Sequence, residues 1–205
     1  MTTAAEEFGS CLANRLSTIR ALTAEQLRRL YEHWALLIRW NNALNLTTIT
    51  DLEAGVTRHY CESLFLAIHL PELAVSVLDV GSGAGFPGIP AAILRPDCRF
   101  TLAESHQRKA VFLREATRDL ANVAIAPKRA ETLSLDGFDW VVTRAVRWED
   151  VVGLAPRSVG LLVGDEDVGD IVRVKNFEWQ SPVPLPWGAR RCLVMGSKFH
   201  VERSS

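Results

Sequence analysis

The chain has 205 residues, 48% of them hydrophobic, with 23 basic and 24 acidic side chains and a formal net charge of −1. That length suits one α/β domain with an appendage, and that apolar content is enough for a full core. The charge balance removes any global electrostatic case for nucleic acid. No signal peptide or transmembrane segment is visible, so a cytoplasmic location away from membranes is the default expectation.

Residues 1–74 read as a helical extension and residues 75–205 as an α/β domain. In the extension, Thr23 is an N-cap with Gln26 at the capping-box position. Leu27, Leu30, Tyr31, Trp34, Leu37, Ile38 and Asn41 follow at helical spacing, a face that must pack on the sheet. Trp40 to Ile49 reads as a polar loop with apolar anchors, and a second helix from Glu53 to His69 ends before Pro71. His33 and His69 read as helix-surface residues. His59 has two readings, a structural hydrogen bond or a substrate contact.

From Val75 onward strands are predicted near 76–80, 99–104, 122–126, 138–143, 158–163, 171–178 and 191–198. Helices are predicted near 87–95, 106–121 and 148–155. The alternation implies a parallel sheet with right-handed crossovers. Gly164 to Asp170 is too short for a full helix, which favours an antiparallel pair or a reduced element there. Ser181 to Gly188 reads as a stiff loop. Cys11, Cys61, Cys98 and Cys192 show no metal-ligand spacing, so reduced, buried cysteines and no metal are expected.

The first strand runs into Leu78-Asp79-Val80-Gly81-Ser82-Gly83-Ala84-Gly85-Phe86-Pro87-Gly88, a strand–turn–helix corner of nucleotide-binding type. Its G-x-G-x-x-G match alone is weak. A dinucleotide would place phosphate on the helix N-terminus, where the Asp79 carboxylate is unwelcome. A carboxylate suits a cationic ligand instead. S-adenosylmethionine carries a sulfonium and an ammonium and no phosphate, and the pattern resembles motif I of its methyltransferases. Asp79, Gly81, Gly83 and Gly85 are therefore cofactor-binding candidates.

Glu104 ends the second strand at the distance expected for ribose recognition. Arg129-Ala130-Glu131 follows the third strand, where an adenine edge would lie. Arg144 follows the fourth strand and faces cofactor or substrate. Between Arg95 and Arg129 there are eight basic and four acidic side chains, either a phosphate-holding face or an ordinary solvated one.

These residues resemble the bacterial 16S rRNA guanine-N7 methyltransferases of the glucose-inhibited-division B type. The resemblance runs from about Leu30 to Arg147. It is carried by Trp40-Asn41 with Asn45-Leu46-Thr47, by Arg58-His59 with Ser63, and by Asp79 to Pro90. Arg95-Pro96, Phe100-Thr101-Leu102, Phe112-Leu113 and Arg144-Ala145 continue it. Pro87 and Pro90, in the extension of the glycine turn, are its most specific part.

The resemblance implies an α/β, Rossmann-like class I S-adenosylmethionine-dependent methyltransferase sheet with helices on both faces and an N-terminal helical extension. It adds Phe86, Ala130, Glu131 and Arg144 to the cofactor contacts, and places Asn45, His59 and Arg129 toward the cleft. Arg144, Asn45 and His59 are the catalytic candidates. The implied partner is 16S rRNA or the 30S ribosomal subunit, met by a monomer. Guanine N7 has a free lone pair and loses no proton on methylation, so the absence of a recognisable acid–base pair agrees.

This chain departs from the family at three points. Glu104 and Glu62 stand where Asp is usual. Leu162-Val163-Gly164-Asp165-Glu166-Asp167 replaces a strand that usually runs into Lys-Gly. Two alternatives accordingly stay open. One is a methyltransferase of the same fold with another acceptor; the other is a non-catalytic S-adenosylmethionine- or RNA-binding protein.

Overall fold

Apolar residues recurring every three to four positions wind the first third of the chain into helices. The computed structural model describes residues 3–188 and 190–199. Helix α1 (Thr3–Leu16) buries Ala5, Phe8, Leu12 and Leu16 on one face. Helix α2 (Ala24–Leu44) starts on the expected capping box. The Thr23 hydroxyl accepts from Gln26 N at 3.2 Å, and the Gln26 side chain accepts from Thr23 N at 2.9 Å.

The loop expected from Trp40 begins later, because α2 runs to Leu44 and stops at Asn45 in the left-handed region (φ 48°). Asn41 closes the turn from both ends, donating to Thr47 O at 2.9 Å and accepting from Thr47 N at 2.8 Å. The next helical run is α3 (Leu52–Gly55), a π-helical segment (Val56–Cys61) and α4 (Glu62–His69).

The sheet alternates strand and helix as the pattern implies: β1 (Ser76–Val80), α5 (Gly88–Leu94), β2 (Arg99–Ala103), α6 (Gln107–Ala116) and β3 (Val123–Ala126). A 3-10 turn (Ala130–Thr132) leads to β4 (Trp140–Thr143), α7 (Trp148–Val152) and β5 (Ser158–Gly164). Then come α8 (Asp165–Ile171), β6 (Phe177–Trp179), β7 (Val183–Pro184) and β8 (Arg191–Lys198).

Helices α6 and α7 are shorter than expected. The strand expected over 171–178 is overturned: α8 occupies 165–171, and only 177–179 is extended. Asp165, Glu166 and Asp167 fill the first turn of α8, where carboxylates complement the exposed N–H groups. Ile171 anchors its far end in the core.

The strand order is β3-β2-β1-β4-β5-β8-β6, with β7 also paired to β8. Strands β1 to β5 are parallel, and β8 lies antiparallel to β5. Chain direction reverses its march across the sheet between β1 and β4, which opens a crevice at the strands' carboxyl ends.

Successive residues of β1 face opposite sides of the sheet. Val77 joins the core under the N-terminal helices with Phe8, Leu30, Trp34 and Tyr60. Leu78 joins the core on the other face with Val151, Val159 and Ile171. Residues 1–74 therefore share their hydrophobic core with the sheet. No described helix is long and apolar enough to cross a membrane. All four cysteines are free; Cys61 and Cys98 are buried, whereas Cys11 and Cys192 are only half-buried, against expectation.

Candidate functional site

The glycine turn wraps over the end of β2. Gly81 N and Ser82 N both donate to Ala103 O, at 2.9 and 3.1 Å. Gly81, Gly83 and Gly85 all have positive φ (69°, 55° and 91°), a region closed to most side chains. Two of these glycines differ in what a side chain would meet. A Cβ on Gly85 would lie 2.3 Å from Ile89 Cδ1, so Gly85 is required by packing. A Cβ on Gly83 would meet nothing nearer than 3.8 Å, so Gly83 borders open space on the ligand side.

Asp79 lies fully buried beneath the turn. Its Oδ2 accepts from Gly88 N, the start of α5, at 3.0 Å. Its Oδ1 is buried with no hydrogen-bond partner. Burial pushes the carboxyl up to about 7. One carboxylate oxygen thus holds the turn and the other is left wanting a donor or a cation, which fits a sulfonium and ammonium ligand.

Glu104 also braces the turn. Its Oε2 accepts from Gly83 N at 3.0 Å and its Oε1 from His106 N at 2.7 Å. Each oxygen retains a lone pair, so ribose hydroxyls can still be accepted, beside these backbone donors. Ala130 is buried in the turn after β3, and Glu131 next to it is exposed.

Phe86 is the hub of the turn's far side and is 4% exposed. The His59 ring stacks on it at 4.5 Å and 17°, and the Arg144 guanidinium carbon lies 5.2 Å from its centroid. His59 is itself buried, with its Nε2 2.8 Å from the Thr47 hydroxyl. Burial, helped by Arg144, lowers its pKa to about 3, so the ring is neutral. His59 supports Phe86 through the stacked ring and holds Thr47 through Nε2, while its buried Nδ1 has no hydrogen-bond partner. Asn45 serves as the C-cap of α2 through its own backbone, and its side chain is exposed.

Arg144 leaves β4 and donates to Arg58 O at 2.5 Å. Burial lowers its pKa to about 10, so it stays charged. Beyond it lies a cavity of about 740 Å³ at the carboxyl ends of β4 and β5. Arg58, Arg144, Arg147, Arg190 and Arg191 line it together with Glu149, Glu166 and Asp167. Two of the lining arginines converge on the buried Glu62, 1% exposed, whose carboxylate meets Arg191 at 3.0 Å and Arg58 at 3.3 Å.

Sequence reasoning passed over Glu62 as a site residue and missed Arg191 altogether. They lie 129 positions apart, a pairing no local pattern signals. His33, expected on a helix surface, is a correction: it is 3% exposed and reaches the glycine turn.

The basic stretch from Arg95 to Arg129 divides between its two readings. Arg95 pairs with Asp97, Arg118 with Glu115, and Arg108 donates to Ala43 O at 3.0 Å. These three serve the fold, which leaves less of that face for phosphate.

A parallel sheet reversing between β1 and β4, an antiparallel last strand and a glycine turn over an acidic strand end define the methyltransferase class of Rossmann-like folds. Among solved structures, ribosomal protein L11 methylase from Lactobacillus delbrueckii subsp. bulgaricus shares this fold. Its TM-score is 0.55 at 13% identity, over 68% of this chain and 78% of that one. Residues 26–154 match the family model of rRNA small subunit methyltransferase G, and the chain belongs to that family.

A relative named ribosomal RNA small subunit methyltransferase G from Roseiflexus sp. (strain RS-1) is 42% identical, over 64% of this chain and 61% of its own length. One from Halorhodospira halophila is 38% identical over 75% of this chain and 73% of its own. The chain thus spans about three fifths of the Roseiflexus relative and nearly three quarters of the Halorhodospira one.

Proposed function

We propose that the protein is an S-adenosylmethionine-dependent methyltransferase that methylates guanine N7 in 16S rRNA. One observation carries the reading. Arg144 belongs to both halves of the cleft, lying over Phe86 of the glycine turn and lining the arginine-rich cavity. A methyl donor on the turn and an acceptor in the cavity would meet at this residue. The relatives' name supplies the acceptor class.

When bound, S-adenosylmethionine supplies an electrophilic methyl group. The turn glycines and Ala130 offer it backbone, Asp79 Oδ1 and Glu104 offer acceptors, and Glu131 and Phe86 border it. Arg58, Arg144 and Arg191 can hold phosphate or the guanine O6 edge, provided N7 is left free. Guanine N7 would use its own lone pair to take the methyl as the sulfur–methyl bond breaks and S-adenosylhomocysteine leaves, so this chain has no proton to remove. The chain needs no general base, in keeping with a His59 whose pKa of about 3 makes it a weak one. In-line alignment is what it must provide, and such positioning can supply about 7–11 kcal/mol of the barrier.

The acceptor is presented by the assembled 30S subunit, whose shape and exposed bases guide recognition, to a cytoplasmic monomer. Residues 1–74 act as an extension that braces the sheet of residues 75–205 and the turn. A second reading, another acceptor, is favoured by the acids of α8, since Glu166 and Asp167 line the cavity beside the arginines.

Incubation with undermethylated 30S subunits and labelled S-adenosylmethionine tests the proposal. Label in 16S rRNA with N7-sensitive cleavage at one guanine is expected. Label confined to another RNA or to protein selects the second reading.

A further inference from the structure

We infer that His33 is a positioning residue of the glycine turn: with Tyr60 it fixes the Ala84 carbonyl and thereby the path of Gly83 to Gly85. The inference rests on the cofactor reading above and goes beyond it to a residue on α2.

His33 Nε2 lies 2.9 Å from Ala84 O, and His33 Nδ1 lies 2.9 Å from the Tyr60 hydroxyl. A carbonyl oxygen can only accept, so Nε2 carries the proton. Burial lowers the His33 pKa to about 4, so the ring is neutral and Nδ1 has a lone pair. The Tyr60 hydroxyl must then donate to Nδ1. The chain of donors runs in one direction, from Tyr60 through His33 to the turn, and every member is buried.

Ala84 needs such an anchor. Its neighbours Gly83 and Gly85 have no side chains to hold their torsions, and both sit at positive φ. The turn's own hydrogen bonds, Gly85 N and Phe86 N to Ser82 O, and those of Gly81, Ser82, Gly83 and Gly88 to neighbouring groups, do not engage the Ala84 carbonyl, which is set from outside. The imidazole does this from close range. Its Nε2 lies 3.4 Å from where a Gly85 Cβ would stand, and its ring lies 5.1 Å from that of Phe86. A turn preorganised in this way has less to order when ligand arrives. Helix α2 thereby becomes part of the cofactor site rather than only a cover for the sheet.

A purely structural histidine would change stability and leave ligand affinity alone. The test therefore reads both, with S-adenosylhomocysteine as the probe in isothermal titration and a thermal melt of each variant. Loss of one buried hydrogen bond in Tyr60→Phe is expected to weaken binding about threefold, and His33→Leu about tenfold. His33→Gln, whose amide can still donate to Ala84 O, should recover most of the loss.

Nitrogen-15 shifts of the His33 ring should show the proton on Nε2 in the wild type. In Tyr60→Phe the proton should stay on Nε2, held by Ala84 O, while the Nδ1 shift moves as its hydrogen bond is lost. Should His33→Leu fail to fold, the Tyr60→Phe and His33→Gln comparison carries the test. Variants that fold and bind as the wild type does overturn the inference, as does a wild-type ring protonated on Nδ1. Wild-type protein that binds no S-adenosylhomocysteine overturns the cofactor reading itself, a separate and recognisable result.

Discussion

The two sides of the cleft are built from different materials. The turn side, from Gly81 to Gly88, is shaped by backbone: three positive-φ glycines and carboxylates that accept from main-chain N–H groups. The cavity side is shaped by charge: five arginines and three acids line it, and Glu62 pairs with Arg58 and Arg191. Backbone shape tolerates almost no substitution, whereas a charge cluster can drift one residue at a time. That difference accords with a glycine turn that matches the resemblance throughout and a sequence after β5 that departs from it.

The sharpest way to break the comparison is at Gly85. Its φ of 91° and the 2.3 Å approach of Ile89 to a Cβ leave no room. Gly85→Ala should cost about 3 kcal/mol or more in chemical denaturation and abolish binding of S-adenosylhomocysteine. Full affinity in a folded variant would show that the turn is not shaped for ligand.

Glu62→Gln acts on the other side. Removing one member of a buried charge cluster should cost about 3 kcal/mol, seen as a lowered melting temperature. Cofactor affinity should hold to within about threefold, a change worth well under 1 kcal/mol. A large loss of affinity would mean that the two sides are one unit.

Asp79 separates folding from binding. Its carboxyl is raised from 3.8 to about 7, so the folded protein holds this proton more tightly than the unfolded chain does. The resulting stability is fully present below about pH 4 and is lost as pH rises through about 7. Asp79→Asn should lack that decline and gain on the wild type across this window in pH-dependent melts, by about 1–3 kcal/mol. It should also lose affinity for S-adenosylmethionine. Parallel stability curves would remove the buried carboxyl from the account.

On the cavity side, Arg144→Ala should lower kcat/KM for subunits about thirtyfold, or 2 kcal/mol. Smallest of all, Glu166→Gln on exposed α8 should change RNA affinity about twofold, with a slightly altered salt slope.

The same division governs what could be read without coordinates. The glycine turn, its strand and the parallel alternation were legible because Gly, Asp and Pro at fixed offsets act on their immediate neighbours. The capping box at Thr23 and Gln26 was legible for the same reason. The tertiary parts were not. Nothing local shows that His33 turns inward, or that Arg191 of β8 reaches Glu62 of α4. Gly164 to Asp170 reads as too short for a full helix, and in the fold the acids Asp165, Glu166 and Asp167 stabilise the start of a short one. Helix ends at Leu44 and Ala116 were displaced for a related reason, since capping at Asn45 and packing against the sheet decide where a helix stops.

The central claim is that the two sides of the cleft serve one methyl transfer through Arg144. The most direct measurement is transfer of labelled methyl from S-adenosylmethionine to undermethylated 30S subunits, mapped by N7-sensitive cleavage and run with wild type and Arg144→Ala. The account predicts a single labelled guanine in 16S rRNA with the wild type, and a rate reduced about thirtyfold with the variant. Wild-type protein that binds S-adenosylmethionine yet labels no guanine, or an Arg144→Ala variant with undiminished rate, would contradict it.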